Sequence, residues 1–497
     1  MVPGFPSTLD TFPRGLLRIL FVLVLTSPLL LLVAFMGNWV WPSLEELGPV
    51  LYFTVLQAFL SAAVSVFLGL LAGIGLLRLK ARPFFHWLEF LVLWPNLVPV
   101  LMVILAVLNL VTSWMQFPFG LPAIVGIHSL LNMGLVAVAL GRILPSRLGA
   151  VGELAYLEGC SAFRFWRVTL WPYFGRDLIL LFILVFSFCF TSFAIPLVVG
   201  GMWGTTLEVL IFQKLRSARS WGEALPLALL QVGAIFALAA VLAGRAKRPL
   251  VEVSPWSPVL GGWLSPRGLW ALGLLPTAIV LSGLMTGLPQ GLRQWRGTPE
   301  IHGQVLPLML GTLGVGVAVG GLVFLLLLWL AFLWPHRGLQ LFLRGYSAPS
   351  TAVTGFALLV WGSLSDSMVM TKIVVGLVLI YFPSLYRWLG ESVLSPLYGQ
   401  WQVAYLLGAS PGLIFRRVVL PQVAGGFRLI SGLAAFWALG DFALSSLLAP
   451  REMTLAMLVY GLMGAYRLEL ATLLVWPLLL LGAPFLLWNY RVFSRVG

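Results

Sequence analysis

Long runs of apolar residues recur along this chain, and they constrain its fold more than any other feature. Many reach about 18 residues or more, enough for a helix to cross a hydrocarbon core of about 30 Å. Backbone groups in lipid must be paired within each segment, so we predict spanning helices, and the alternating pattern of barrel strands is not seen. The composition agrees, because 60% of the 497 residues are hydrophobic and only 9% are charged.

Six apolar runs are predicted to span the membrane in each half of the chain. The first is preceded by Arg14 and Arg18, but no small-residue cleavage site follows it, so we interpret it as a retained span rather than a signal peptide. The approximate ranges are 19–36, 51–77, 87–111, 121–143, 178–200 and 223–243, then 268–288, 304–333, 350–365, 369–389, 427–449 and 468–490. The predicted fold is an all-α polytopic membrane protein with about twelve spans.

The formal net charge of +14 would raise nucleic-acid binding in a soluble protein. Here the lysines and arginines gather in alternate loops, which is the pattern that orients membrane helices. Loops 37–50 and 112–120 contain neither residue type. We therefore predict no nucleic-acid partner, and we place both termini in the cytoplasm. Exceptions that carry basic residues on the predicted outer side are 201–222, 289–303 and 450–467.

The residue types that build metal or disulfide sites are few and scattered. Cys160 and Cys189 form neither a disulfide framework nor a metal-ligand pattern. No His-Glu-x-x-His motif occurs, and structural roles are expected for the four histidines. They are His86, His128, His302 and His336. We expect no metal, no cofactor held by this chain and no catalytic residue.

An internal repeat divides the chain into two like halves. Glu153–Pro172 and Gln402–Pro421 both contain Ala-Tyr-Leu, then Gly, Arg and Pro, at an offset of 249 residues. Thr205–Phe212 also resembles Met453–Tyr460, at an offset of 248 residues. Because each half has an even number of predicted spans, the halves would lie parallel, with a pathway between them. The predicted division is a first domain 1–243 with loop 147–176, a cytoplasmic linker 244–266, and a second domain 267–497 with loop 395–426.

Each repeated loop has the residues of a short helix–turn–helix. Gly159 and Gly408 permit a sharp turn, and Ser161 and Ser410 are residue types that begin helices. Aromatic and aliphatic side chains stand beside arginines, as in a surface that docks another protein. An amphipathic segment at the membrane surface without a partner is the alternative. The occurrence of two matched copies favours docking.

The loops resemble the EAA loop of ATP-binding-cassette (ABC) importer permeases, which reads Glu-Ala-Ala, three residues, Gly, nine residues and an Ile-x-Leu-Pro ending. The predicted coupling residues are Glu153, Ala155, Gly159, Arg164, Arg167 and Pro172, and Gln402, Ala404, Gly408, Arg416, Arg417 and Pro421. Leu154 and Val403 depart from the middle alanine, and Thr169 and Trp171 from the first ending. Since Gln402 replaces the acidic residue, we expect the stronger polar contact at Glu153.

This resemblance implies a type I ABC importer permease fold and a division of labour. In this family each loop inserts into a groove on an ATPase subunit, and an extracytoplasmic binding protein delivers the substrate. None of the four lysines of this chain lies in a Gly-x-x-x-x-Gly-Lys-Ser/Thr loop, so ATP hydrolysis is expected on partner subunits. The chain itself is expected to be a transport subunit of a bacterial inner membrane and not an enzyme.

Within this family the chain is most similar to thiamine importer permeases. The resemblance rests on Phe186–Ala194, Gly200-Gly201 and Thr205–Gln213. Ferric-iron and polyamine importers remain alternatives. A twelve-span secondary transporter is a rival class, although the loop 78–83 lacks the acidic Gly-x-x-x-Asp pattern expected of its largest group. A purely structural membrane protein is a third alternative.

Polar residues within predicted spans are candidates to face a pathway, because they are costly in lipid. They are Asn96, Asn132, Thr191, Ser192 and Asp441. Asp441 is a carboxylate in an apolar run and could face a cationic substrate such as thiamine. Pairing with a neighbouring helix, or a place near the outer water boundary, is the alternative. Asn96, between Pro95 and Pro99, predicts a broken helix that could serve as a hinge, for packing or as a site.

Overall fold

A computed structural model describes residues 12–34, 40–201, 204–216, 220–245, 258–334, 336–346, 349–361 and 366–496. Within these ranges every regular element is helical. The first half comprises α1 (Phe12–Ala34), α2 (Leu44–Leu77), α3 (Phe85–Leu97), α4 (Val100–Thr112), α5 (Leu121–Leu157), α6 (Ala162–Phe165), α7 (Trp171–Phe190), α8 (Ala194–Val199), α9 (Leu207–Arg216) and α10 (Trp221–Arg245). A short helix, α11 (Pro258–Leu264), follows.

The second half repeats this order with small differences. It comprises α12 (Ala271–Arg296), α13 (Pro299–Leu333), α14 (Arg337–Gly345), α15 (Thr351–Val360), α16 (Asp366–Leu385), α17 (Glu391–Leu394), α18 (Leu397–Leu406), α19 (Pro411–Ile414), α20 (Leu420–Leu439), α21 (Ala443–Leu448), α22 (Leu455–Gly464) and α23 (Leu468–Val496). Single π-helical turns occupy 166–170, 386–390 and 415–419.

The chain is an all-α polytopic membrane protein, as predicted. In the described residues eight helices are long and apolar enough to cross a membrane, or up to ten if each of two bent pairs forms one span. The number twelve stays a prediction.

Three of the predicted spans are broken rather than continuous. The run 87–111 becomes α3 and α4, which meet at an angle of 91°. The break follows from Pro99, which disfavours helical backbone at the preceding residue, and Val98 is extended with ψ 152°. The runs 178–200 and 427–449 are likewise divided, into α7 with α8 and α20 with α21. The predicted break near Asn96 is therefore present, and the other two were missed.

Equivalent contacts recur in the two halves. The hydroxyl of Thr54 in α2 accepts a hydrogen bond from the first N–H of α9, at Leu207, over 2.9 Å. The hydroxyl of Thr312 in α13 accepts one from the first N–H of α22, at Leu455, over 2.8 Å. Both bonds satisfy a helix-terminal donor that has no partner within its own helix.

The first helix of each half packs on the other half. In α1 the ring of Phe21 lies 5.2 Å from Trp329 and 5.8 Å from Phe382, centroid to centroid. The Tyr346 hydroxyl donates to the Leu25 carbonyl over 2.5 Å. In return α12 packs along α2, α3 and α4 of the first half. The first helix of each half is therefore packed against the other half.

Candidate coupling surface and transport pathway

The first repeated loop begins as a continuation of α5, so no separate helix starts after residue 143. Helix-favouring residues carry α5 to Leu157, and Gly159 then adopts φ +70°. Cys160 and Ser161 follow, and the Ser161 hydroxyl accepts a hydrogen bond from the N–H of Arg164 over 3.3 Å. This N-cap begins α6, which leads through a π-helical turn into α7.

The second loop has the same geometry at its turn. Gly408 adopts φ +84°, and the Ser410 hydroxyl accepts from the N–H of Leu413 over 3.4 Å. Pro411 occupies the first turn of α19, where its missing N–H costs nothing. Unlike the first loop, this one starts as a separate helix, α18, because a π-helical turn and α17 intervene after α16.

Both loops expose large apolar side chains next to arginines. The exposed fractions are 77% for Leu157, 76% for Phe163, and 82% for both Leu406 and Leu407. The residues predicted from the EAA pattern separate into an exposed group and a half-buried group. Gly159, Arg164, Arg167, Pro172, Gly408, Arg416, Arg417 and Pro421 are exposed, whereas Glu153, Ala155, Gln402 and Ala404 are half-buried. Apolar patches of this kind typically mark interaction surfaces.

Part of the predicted linker packs against the first loop. The linker residues 246–257 lie outside the described residues, but 258–264 form α11. The Trp263 ring lies 5.3 Å from Phe165 and 5.7 Å from Tyr156, centroid to centroid. No role was assigned to Trp263 from the sequence, although a large aromatic residue in a linker is a signal for a packing contact. In the second loop Phe415 packs instead on Phe332 of α13, at 5.7 Å.

Two of the predicted pathway residues of the first half, Asn132 and Thr191, lie in α5 and directly after α7. The Asn132 amide donates to the His128 carbonyl over 2.8 Å and faces the Cys189 sulfur at 3.7 Å. The Thr191 hydroxyl donates to the Ser187 carbonyl over 3.0 Å. The side chains of Asn132 and Thr191 therefore find hydrogen-bond partners within the first half.

Asn96 and Ser192 stand at two of the helix breaks. The Asn96 side-chain oxygen is buried without a hydrogen-bond partner among the described residues. Ser192 lies between α7 and α8, and its N–H reaches the Cys189 carbonyl at 3.4 Å. The structure thus places Ser192 within a break, and Asn96 in the last turn of α3 just before one.

Asp441 lies in the break between α20 and α21, not inside a helix. One carboxylate oxygen accepts from the N–H and the hydroxyl of Ser445 over 3.1 and 2.9 Å, and the other accepts from the N–H of Leu444 over 3.3 Å. Asp441 is only 9% exposed. Its carboxylate therefore caps α21, and these bonds offset part of the cost of burying the charge.

The breaks of the two halves meet each other. Phe193, next to Ser192, belongs to one apolar cluster with Val209 and with Ala443, which is close to Asp441 in sequence. Phe193 also packs on Phe212 with ring centroids 5.2 Å apart, and its counterpart Phe442 stacks on Tyr460 at 4.6 Å. The interface between the halves therefore passes beside Ser192 and Asp441.

A second buried carboxylate, at Glu208, also joins the halves. It accepts hydrogen bonds from the Gln231 amide and, over 3.1 Å, from the N–H of Ala352 at the start of α15. Glu208 lies in the repeated segment Thr205–Phe212, but the repeat alone did not single it out. Its counterpart in the second half is Ala456, so only one half supplies this polar joint.

Taken by class, this is a polytopic helical membrane protein of two like halves with a matched pair of exposed loops. It is similar to the thiamine transport system permease protein ThiP of Escherichia coli (strain K12), with 26% identity over 62% of each protein. It is also similar to ThiP of Salmonella typhimurium, with 26% identity over 66% of each protein, and to ThiP of Haemophilus influenzae, with 30% identity over 35% of each.

These relatives confirm the predicted likeness to thiamine transport permeases. The matched region spans about two thirds or less of the length of each curated relative. No family model matches the chain, and no solved structure matches it.

Proposed function

We propose that this chain is the permease subunit of an ATP-driven ABC importer for thiamine or its phosphates, in a bacterial inner membrane with both termini cytoplasmic. The observation that carries the proposal is the matched pair of loops, each with a left-handed glycine and exposed apolar residues. The similarity to thiamine transport system permeases supports the substrate.

The loops are proposed to be docking points for two ATPase subunits. Leu157 and Phe163 of the first loop and Leu406 and Leu407 of the second project from short, well-capped turns, which would present them rigidly to a groove. Apolar anchors surrounded by arginines are typical of binding hot spots. ATP would be bound and hydrolysed by the partners, and a binding protein would deliver substrate from the outer side.

In the proposed mechanism, closure of the ATPase dimer moves the two loops together. The first loop is continuous with α5 and the second leads into α20, so movement passes directly into helices that border the interface. The halves would then rock, and the pathway would open alternately to each side.

Two measurements test this function. A tagged chain should co-purify with an ATPase subunit encoded for the same system, and vesicles holding both should accumulate thiamine only with ATP and the binding protein. Uptake driven by an ion gradient without ATP would instead indicate a secondary transporter. Competition by ferric complexes or polyamines, with no effect of thiamine, would reassign the substrate and leave the permease class intact.

A further inference from the structure

Three aromatic side chains gather beside Asp441 in the second half. They are Tyr381 of α16, Trp388 of the following π-helical turn and Trp437 of α20. The Trp437 ring lies 5.6 Å from Tyr381 at an interplanar angle of 72°, and 6.2 Å from Trp388 at 6°. Asp441 follows Trp437 by four residues, just beyond the end of α20. All three aromatic residues are half-buried.

The first half builds the same helices without this group. At the offset of 249 residues, the four positions hold Asn132, Ala139, Phe188 and Ser192. The equivalent helices therefore form in the first half without the carboxylate and without the two indoles. A buried carboxylate is costly to desolvate even when hydrogen bonds offset part of that cost, so its presence in one half calls for another role.

The aromatic group lies where the halves meet. The Trp437 indole N–H donates to the Leu97 carbonyl over 3.1 Å, and that carbonyl lies at the break between α3 and α4. A side chain at Gly440 would collide with Pro99 of the same break, so the two backbones approach closely there. Interrupted helices at the contact between repeats are where transporters build substrate sites.

We infer that Tyr381, Trp388, Trp437 and Asp441 form a binding site for an aromatic organic cation, of the thiazolium type, on the path between the halves. The inference rests on the proposed function and adds a site and a ligand chemistry to it. Aromatic faces attract a delocalised cation, and the carboxylate supplies the opposite charge.

A metal ion fits this group poorly. Hard cations take six to eight oxygen ligands, whereas this group supplies one carboxylate and one hydroxyl. Both oxygens of Asp441 already accept hydrogen bonds from Leu444 and Ser445. In the part of the chain that the structure describes, no group of three or more His, Cys, Asp or Glu could hold a metal. Aromatic surface makes up most of this group, and it favours an organic ligand over a metal ion.

The test is equilibrium binding of labelled thiamine to the purified full chain with its ATPase subunits, without the binding protein. Asp441→Asn keeps an oxygen that can cap α21 and removes the charge, while Trp388→Leu removes a ring and keeps apolar volume. Each is expected to weaken binding about tenfold or more. Trp388→Phe retains a ring and should retain most of the binding. Glu45→Gln and Trp114→Leu, both at exposed positions, are the matched controls and should bind normally.

A second pair of probes examines the ligand chemistry. An N-alkylated thiazolium should compete with thiamine, and the neutral thiazole without the alkyl group should not. If the wild type imports thiamine while Asp441→Asn and Trp388→Leu bind it as the wild type does, the site is refuted and the proposed function stands. If the wild type does not import thiamine, the proposed function fails; thiazolium binding that Asp441→Asn abolishes would still support the site, and its absence would overturn it.

Discussion

Two glycines set the geometry of the loops through their backbone alone. Gly159 and Gly408 have φ +70° and +84°, in the left-handed region that L side chains rarely adopt. A Cβ at either position would meet nothing within 4 Å, so space is not the constraint. The cost of a substitution here comes from conformation and amounts to roughly 1–2 kcal/mol per residue.

Replacing Gly159 and Gly408 with Val is therefore expected to disturb both turns and to lower coupled transport several-fold, while membrane insertion is retained. Replacement with Asn should be better tolerated, since Asn visits the left-handed region more readily. ATP-dependent uptake in vesicles, normalised to the amount of inserted protein, provides the comparison. Equal transport by the Val double variant and the wild type would remove the coupling role from these turns.

For individual residues, the sequence predicted the turns more accurately than it predicted which side chains are neighbours in the fold. The two glycines and the serine caps followed from residue type and the repeat. The role of Asp441 as a cap could not be predicted, because it depends on the break after Leu439, which no proline announces. Nor could the aromatic neighbours be assigned, since Tyr381 and Trp437 belong to different helices and their contact is a matter of tertiary packing.

Helix α11 packs against the first loop, and this packing distinguishes the first loop from the second. Its Trp263 contacts Phe165 and Tyr156 of the first loop, and the Arg78 guanidinium donates to the Ser265 carbonyl just beyond it over 2.9 Å. Aromatic pairs of this kind are worth about 0.5–1.5 kcal/mol each beyond the burial of their surface. The first loop is thus held by the connection between the halves.

Trp263→Ala is expected to loosen the first loop and leave the second unchanged. Amide hydrogen exchange should then accelerate in 150–165 by about tenfold, with no change in 400–415. Trp114→Ala is the matched control, because Trp114 is 85% exposed and distant from both loops in sequence. Unchanged exchange in the first loop would show that α11 does not brace it.

The paired threonines offer a test of the structural repeat. Thr54→Val and Thr312→Val each remove the hydroxyl that accepts the first N–H of α9 or α22. We expect each to lower the free energy of unfolding by about 1–3 kcal/mol, since each leaves a buried donor unpaired. Thermal unfolding in detergent measures the shifts. The repeat predicts similar losses in the two halves, and a loss confined to one would contradict the equivalence of these contacts.

The two halves are held together because the first helix of each half, α1 or α12, packs on the other half. The two halves approach each other closely at Gly283 of α12, where a Cβ would collide with the Ala106 carbonyl of α4. Only glycine allows this contact. The halves can rock in the proposed mechanism, but they cannot part without breaking the packing of α1 and α12.

Gly283→Ala is therefore expected to destabilise the protein by about 1–3 kcal/mol through overpacking. Gly314→Ala is the matched control, because Gly314 also lies in a helix but a Cβ there would meet nothing within 4 Å. The control should be neutral or slightly stabilising, by up to about 1 kcal/mol. Thermal unfolding of both variants gives the comparison, and equal behaviour would mean that α12 does not pack closely on α4.

Fold class and internal repeat could be predicted because both follow from local patterns, namely hydropathy and the recurrence of short similar segments. The packing of α1 and α12 on the opposite halves could not be predicted, because the sequence of an apolar helix in lipid indicates little about which helix it will contact. The predicted domain boundaries at 243 and 267 stay predictions, and α12 shows that packing crosses them.

The position of α1 has a consequence for biosynthesis. Its Leu25 carbonyl is bonded by Tyr346, which lies 321 residues later in the chain. At about 5–20 residues per second, the ribosome needs roughly 16–64 s to supply that partner. During this interval α1 remains in the bilayer without that partner, and its high hydropathy favours this position. The bond from Tyr346 to α1 therefore forms only after α12, α13 and α14 have been synthesised.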